Sequence, residues 1–239
     1  VALAKGANDT DSYLHYADEL VALTEGEEQA RLCLDIADVY SHEIMDDAKA
    51  APYLEVALLE DATLQQAVER LESYYLLMGE WQKLLDVLLH KESKQTDPAE
   101  RVETLLRASE IAETSLQNTE QADSIFEAIR ILEPTNAQAV RRAAERFYQN
   151  QEWTQLLEIY GAHALIFKTN QRTTVEMLLR HAEASESLGQ WERVIDVVQE
   201  MLEIAPTHTE ALRMMSRAQI ATQRFEDGLQ TDLQLLDTR

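Results

Sequence analysis

Six histidines (His15, His42, His90, His163, His181, His208) and one cysteine, Cys33, are the residues of this 239-residue sequence best suited to hold a metal or attack an electrophile. A metal-binding helix places two histidines four residues apart so that both face one ion, and no two of these stand at that spacing. His42-Glu43-Ile44-Met45-Asp46 begins like a zinc-protease helix but lacks the second histidine, and it reads as a solvated turn. Cys33, set among Leu32, Leu34 and Ile36, has no base at a motif spacing and reads as a packing residue. The six glycines never cluster, so no phosphate-cradling loop is encoded. The Asp and Glu residues could supply acid–base pairs, but on amphipathic helices such carboxylates form solvated faces. Trp81, Trp153 and Trp191 each open an apolar stripe, so they pack helices together rather than stack on a ligand. Asn8-Asp9-Thr10 is a formal glycosylation triplet with no other sign of secretion. The expectation is a protein that is not an enzyme and needs no cofactor or metal.

The charge narrows the partners. Asp and Glu number 44 against 21 Lys and Arg, a formal net charge of −23. Phosphate backbones and anionic membrane surfaces repel such a chain, which disfavours nucleic acid and lipid. No stretch approaches the ~18 consecutive apolar residues of a membrane span. One cysteine cannot form an internal disulfide. These features suggest a cytoplasmic protein, or a periplasmic one if an upstream signal has been removed. Position 1 is Val, so the chain reads as a segment of something longer.

The elements that would position any binding residues come from internal repetition. Gln66-Ala67-Val68 recurs as Gln138-Ala139-Val140, Glu80-Trp81 as Glu152-Trp153, and Leu84-Leu85 as Leu156-Leu157, all displaced by 72. Pro134-Thr135 recurs as Pro206-Thr207 at the same displacement, and Val102–Arg107 recurs as Val175–Arg180 at 73. Each repeat holds four helical segments. Trp191, Val194, Ile195, Val198, Met201 and Leu202 form one apolar stripe at helical spacing, as do Ala122, Ile125, Phe126, Ile129 and Leu132. Asp97-Pro98-Ala99-Glu100 and Thr207-His208-Thr209-Glu210 read as helix starts, capped by Asp97 and Thr207. Gly79, Gly189 and Asn150 mark turns that use left-handed backbone. No strand pattern is present. The segmentation is one helix at about 11–24, then helix pairs near 31–64, 65–102, 103–136, 137–174, 175–208 and 209–239.

Ala122, Phe126 and Pro134 in the second helix of 103–136, with Met78-Gly79…Trp81 and Leu188-Gly189…Trp191 at the inter-helix turns, resemble the tetratricopeptide repeat family. The likeness spans roughly residues 28–239. It is degenerate, resembling long bacterial repeat proteins that carry tryptophan after each turn. It implies an all-α fold, a right-handed α-α superhelix of stacked helix pairs, in one continuous segment 1–239. It also implies a protein-binding scaffold or adaptor that grips a partner peptide on its first helices.

Arginine is unevenly placed. Residues 1–100 hold 7 Lys and Arg against 22 Asp and Glu, while residues 101–239 hold 14 against 22. By the resemblance, Arg107, Arg141 and Arg213 stand at equivalent groove-facing turns, with Arg142 and Arg180 one residue further along. Together with Arg217 and Tyr148 they form a candidate peptide-binding set, suited to carboxylates. Local pairing, such as Arg141 or Arg142 with Glu145, is the plainer reading of the same residues. A second functional reading reverses the sign. The acidic first half, with Asp35, Asp38, Asp46 and Asp47, would attract a basic partner, as an assembly chaperone or complex subunit would. A third makes the array the regulatory arm of a larger protein. Uncapped ends would favour self-association.

Overall fold

The computed structural model describes residues 10–60 and 65–237; Asn8 and Asp9 of the glycosylation triplet lie outside them. The chain is all-α, and no strand occurs among the described residues. Among the described residues thirteen α-helices follow one another: α1 Thr10–Val21, α2 Gly26–Asp38, α3 Asp47–Glu60, α4 Gln65–Met78, α5 Trp81–Lys94, α6 Pro98–Glu110, α7 Thr119–Leu132, α8 Ala137–Gln149, α9 Trp153–Phe167, α10 Gln171–Ser187, α11 Trp191–Ile204, α12 Thr209–Ala221 and α13 Phe225–Asp237. After α1 they pack as consecutive pairs, a solenoid-type helical repeat. The chain divides into two compact units, residues 1–128 and 129–239, and α7 crosses the division.

The 72-residue period is written in the backbone. Apart from Gly26, the left-handed residues among those described fall in two series at that spacing: Met45, Gln117 and Gly189, then Gly79, Gln151 and Gln223, with φ between 52° and 69°. In the second series the residue after the left-handed one donates its N–H to a carbonyl five positions back. Glu80 reaches Tyr75, Glu152 reaches Phe147 and Arg224 reaches Gln219, at 3.0, 2.8 and 2.7 Å. Gln190, after Gly189, does the same to Ser185 at 2.9 Å. Such wrapped ends satisfy helix carbonyls that otherwise lack partners. Two residues past Gly79, Gln151, Gly189 and Gln223, an aromatic side chain (Trp81, Trp153, Trp191 or Phe225) opens the next helix.

The turn expected at Asn150 is corrected by one residue. Asn150 has φ −82°, an ordinary right-handed value, and its amide donates to Glu152 at 3.0 Å. Gln151 takes the left-handed conformation because it holds the register of Gly79. The cap expected at Thr207 is likewise one residue late: His208 caps α12, its Nδ1 accepting from the Ala211 N–H at 3.2 Å. That geometry assigns Nδ1 as the unprotonated nitrogen. Asp97 caps α6 through the Ala99 N–H at 3.1 Å, with Pro98 in the first turn. A reciprocal capping box that the sequence analysis overlooked joins Asn170 and Thr173 at the start of α10. The first helix ends at Val21 rather than near 24, because the Leu23 N–H turns back to the Leu20 carbonyl at 3.0 Å.

Burial follows the apolar stripes. In unit two, Val194, Val198 and Met201 of α11 are fully enclosed and join Leu156 of α9, Leu178 of α10 and Met214 of α12 in one core. Each fully buried side chain of this size contributes roughly 1.5–3 kcal/mol. In unit one, Tyr13 and Leu14 of α1 pack on Leu32 and Ile36 of α2.

Candidate functional site

The first helices of the pairs are α2, α4 and α6 in unit one and α8, α10 and α12 in unit two. Their polar faces carry a repeated contact: an arginine on one first helix reaches a carboxylate on the first helix before it. In unit one, Arg70 of α4 lies 2.7 Å from Asp38 of α2, and Arg107 of α6 lies 2.5 Å from Glu72 of α4. In unit two, Arg180 of α10 lies 2.5 Å from Glu145 of α8. Arg217 of α12 grips Glu186 of α10 with two parallel bonds, 2.8 and 2.9 Å. The partners are 31 to 35 residues apart, one helix pair, so the repeat itself brings them together. Bidentate or charge-assisted contacts of this kind fix the stacking register more than they add energy.

The candidate set is densest on α8 and α10. The Arg180 guanidinium also bonds Glu176 at 3.1 Å and sits 4.5 Å from the centre of the Tyr148 ring. The Tyr148 hydroxyl donates to Glu183 at 2.7 Å. Arg180 holds the Glu145 carboxyl below its ordinary range, with Arg142 adding to the effect. Burial works against the Arg180 charge, and Glu145 more than offsets it. The bond to Glu183 pushes the Tyr148 hydroxyl up. Arg141 differs from these: it is exposed, and it donates to the Ile166 backbone carbonyl at 2.8 Å. Arg213 pairs locally with Glu210 at 3.1 Å.

A pocket of about 170 Å³ opens between α8, α9 and α10, lined by Arg141, Arg180, Glu145, Glu176, Phe167 and Met177 among others. It balances two cations against two carboxylates over an apolar floor. A larger pocket, about 650 Å³, lies between α2, α3 and α4 in unit one. Its rim carries Asp38, Asp47 and Glu69 against the single cation Arg70, above Ala50, Ala51 and Leu54. Arg70 is already tied to Asp38, the Ala37 carbonyl and Ser41. Arg107, Arg213 and Arg217 do not line the α8–α10 pocket. Sequence reasoning did not find the partner carboxylates Glu72 and Glu186, and it read Asp38 as part of an acidic surface rather than as the partner of Arg70; the helix-pair repeat was the signal that could have, because it places successive first helices side by side.

Of the residues first considered for chemistry, Cys33 and the Nε2 of His181 are enclosed and His42 is exposed. Cys33 is buried, and burial with the nearby Asp18 and Glu60 charges pushes its thiol up to about 11. That keeps it from forming a nucleophilic thiolate near neutral pH. Burial, aided by Arg193, pushes His181 down to about 4, and its Nε2 is enclosed with no partner. His42 is exposed on the π-helical extension of α2, with Nδ1 3.1 Å from the Asp38 carbonyl. No cluster of His, Cys, Asp or Glu suited to a metal occurs among the described residues. No helix among them is long and apolar enough to cross a membrane.

The fold and these surfaces define the class: an all-α protein of stacked helix pairs, with its distinctive polar contacts on the first helices. No family model and no curated protein matches the sequence. Among solved structures the chain is similar to MamA AMB-1, with 15% identity and a TM-score of 0.48 over 72% of this chain and 96% of that one. It is also similar to residues 41 to the end of MamA from Desulfovibrio magneticus RS-1, at 15% identity and a TM-score of 0.45 over 72% and 93% of the two chains.

Proposed function

We propose that this chain is a non-catalytic, tetratricopeptide-like scaffold that holds an extended or helical partner segment of acidic character along its first helices. In unit two Arg141, Arg142, Tyr148, Arg180, Arg213 and Arg217 form the receiving surface, and in unit one Arg107 of α6 stands on the corresponding first-helix face. The observation that carries the reading is the pairing of Arg141 with a neutral carbonyl at the rim of the α8–α10 pocket. Its guanidinium can take a carboxylate without giving up an internal ion pair, beside an apolar floor that a neighbouring side chain would fill. Arg180, Arg107 and Arg217 set the spacing of the helices that present it. Binding of labelled acidic and basic peptides to the chain, with and without Arg141→Ala and Arg213→Ala, tests this. The acidic peptide should bind more tightly; Arg141→Ala alone should weaken it about tenfold, the loss of one charge-assisted contact, and the double substitution should weaken it further. Equal affinity of parent and variant would overturn the reading.

A second reading has its own observation. The unit-one pocket is the larger one and its rim is dominated by carboxylates, which suits a basic segment, as expected of an assembly chaperone or complex subunit. Preference for the basic peptide, lost on Glu69→Gln with Asp47→Asn, would favour it over the first.

A further inference from the structure

Two adjacent tyrosines of α4 serve different cavities of unit one. Tyr74 lines the pocket between α2, α3 and α4, and Tyr75 lines a second cavity, about 310 Å³, between α3, α4 and α5. The floor of this second cavity is apolar: Leu58, Leu71, Tyr75 and Val87 are all buried. Leu59 of α3, 82% exposed, stands as one wall. On α5 the lining residues Lys83, Asp86, Val87 and His90 fall at i, i+3, i+4 and i+7, so the opposite wall is a single helix face two turns long, about 10 Å. The repeat does not demand such a floor. In the register that matches Gly79 to Gly189, His181 and Ser185 stand where Leu71 and Tyr75 do.

The charges at the mouth are unequally committed. The Tyr75 hydroxyl donates to Glu55, and the Lys83 ammonium lies 3.3 Å from the same carboxylate and 5.3 Å from the centre of the Tyr75 ring. Glu55 and Lys83 therefore offset each other. Asp86 is exposed, and the bond it accepts comes from the neutral Gln82 amide at 3.0 Å, so a cation can join it without breaking an ion pair among the described residues. The walls are helices whose backbone groups are bonded internally, so they offer nothing to the N–H and C=O groups of an extended chain. A helix satisfies its own. We infer that this groove between the second helices α3 and α5 receives an amphipathic helix of a partner protein, with large apolar side chains between Leu59 and Val87 and a Lys or Arg against Asp86. The groove shares no residue with the first-helix set or with the other unit-one pocket.

Fluorescence anisotropy of three labelled peptides against the full chain tests it. Two are helical, with leucines at i and i+4 flanked by either Lys or Glu; the third is the Lys peptide with a central proline that breaks the helix. The Lys helix should bind most tightly and weaken as salt rises. Leu59→Glu and Asp86→Lys alter exposed side chains and should leave the circular dichroism of the chain unchanged. Leu59→Glu should weaken the Lys helix about tenfold or more, and Asp86→Lys should turn the preference to the Glu helix. Glu69→Gln with Asp47→Asn, in the other unit-one pocket, should leave the Lys helix bound. Absence of binding by the Lys helix, equal binding of the proline peptide, or indifference to Leu59→Glu or to Asp86→Lys would each overturn the inference. So would loss of binding with Glu69→Gln and Asp47→Asn, because it would give the peptide to the other pocket.

Discussion

Arg180 on α10 and Glu145 on α8 are joined at 2.5 Å across consecutive first helices, at positions 35 residues apart in the chain. The pair is one of four Arg–carboxylate contacts, two within each unit, that align a first helix with its predecessor. Arg142, three residues before Glu145 on α8, adds its charge to the same carboxylate.

Arg180→Ala should cost about 1–3 kcal/mol of stability, since the guanidinium is only 23% exposed and serves two carboxylates and an aromatic face. Arg180→Lys should recover only part, because an ammonium cannot reproduce the planar fork. Arg213→Ala, which breaks an exposed pair within one helix, should stay within about 0.5 kcal/mol. Urea unfolding followed by circular dichroism checks all three; equal losses for Arg180 and Arg213 would contradict the register role.

Acid should destabilise unit two in two overlapping steps. His181 titrates near 6.5 when unfolded and about 4 when folded, because burial disfavours its charge. The unfolded chain therefore takes up the proton first, so the full contribution holds above pH 6.5 and is lost as pH falls from there through 4. Glu145, lowered by Arg180, contributes stability at neutral pH that fades as its folded carboxyl takes up a proton below the ordinary 4.5. His181→Gln should flatten the dependence of stability on pH between 6.5 and 4 while leaving the lower step. An unchanged slope would show that His181 is not the titrating group.

The left-handed glutamines make a prediction of opposite sign at neighbouring residues. Gln151→Gly and Gln223→Gly relieve a conformation that costs an L-residue roughly 1 kcal/mol, so each should stabilise by up to about that amount. Asn150→Gly, at a right-handed position, should destabilise by about 0.5–1 kcal/mol. Thermal melts of the three variants distinguish them, and stabilisation by Asn150→Gly would place the turn one residue earlier.

Cys33 should react with an aromatic disulfide reagent far more slowly in the native protein than in urea. It is fully buried and its thiol is pushed up to about 11. Fast native labelling at neutral pH would mean that α2 and α3 open readily.

Much of the fold was legible from the chain alone. The stripe through Val194, Val198 and Met201 has the period of a helix with one buried face, and that face is buried. Gly79 and Gly189 announced left-handed turns because glycine alone adopts them without cost. Gln117, Gln151 and Gln223 gave no such signal, since nothing local to a glutamine favours that backbone. Neighbouring residues on a helix are visible as i, i+3 and i, i+4 pairs, so Arg213 with Glu210 could be read directly. Arg107 with Glu72 and Arg217 with Glu186 could not, because their meeting depends on how one helix pair stacks on the next.

The sequence by itself determined the helices, their 72-residue period and the strongly acidic balance, because helical spacing, capping and charge are properties of residues close together along the chain. Only the tertiary structure decided which arginines are committed to carboxylates, where pockets open between first helices, and that Phe225, Leu229, Leu233 and Leu236 face outward. Those depend on which surfaces the stacked pairs bring together and which they leave uncovered. Apolar residues at the same register, such as Ile195 and Leu229, differ in exposure according to what packs against their helices.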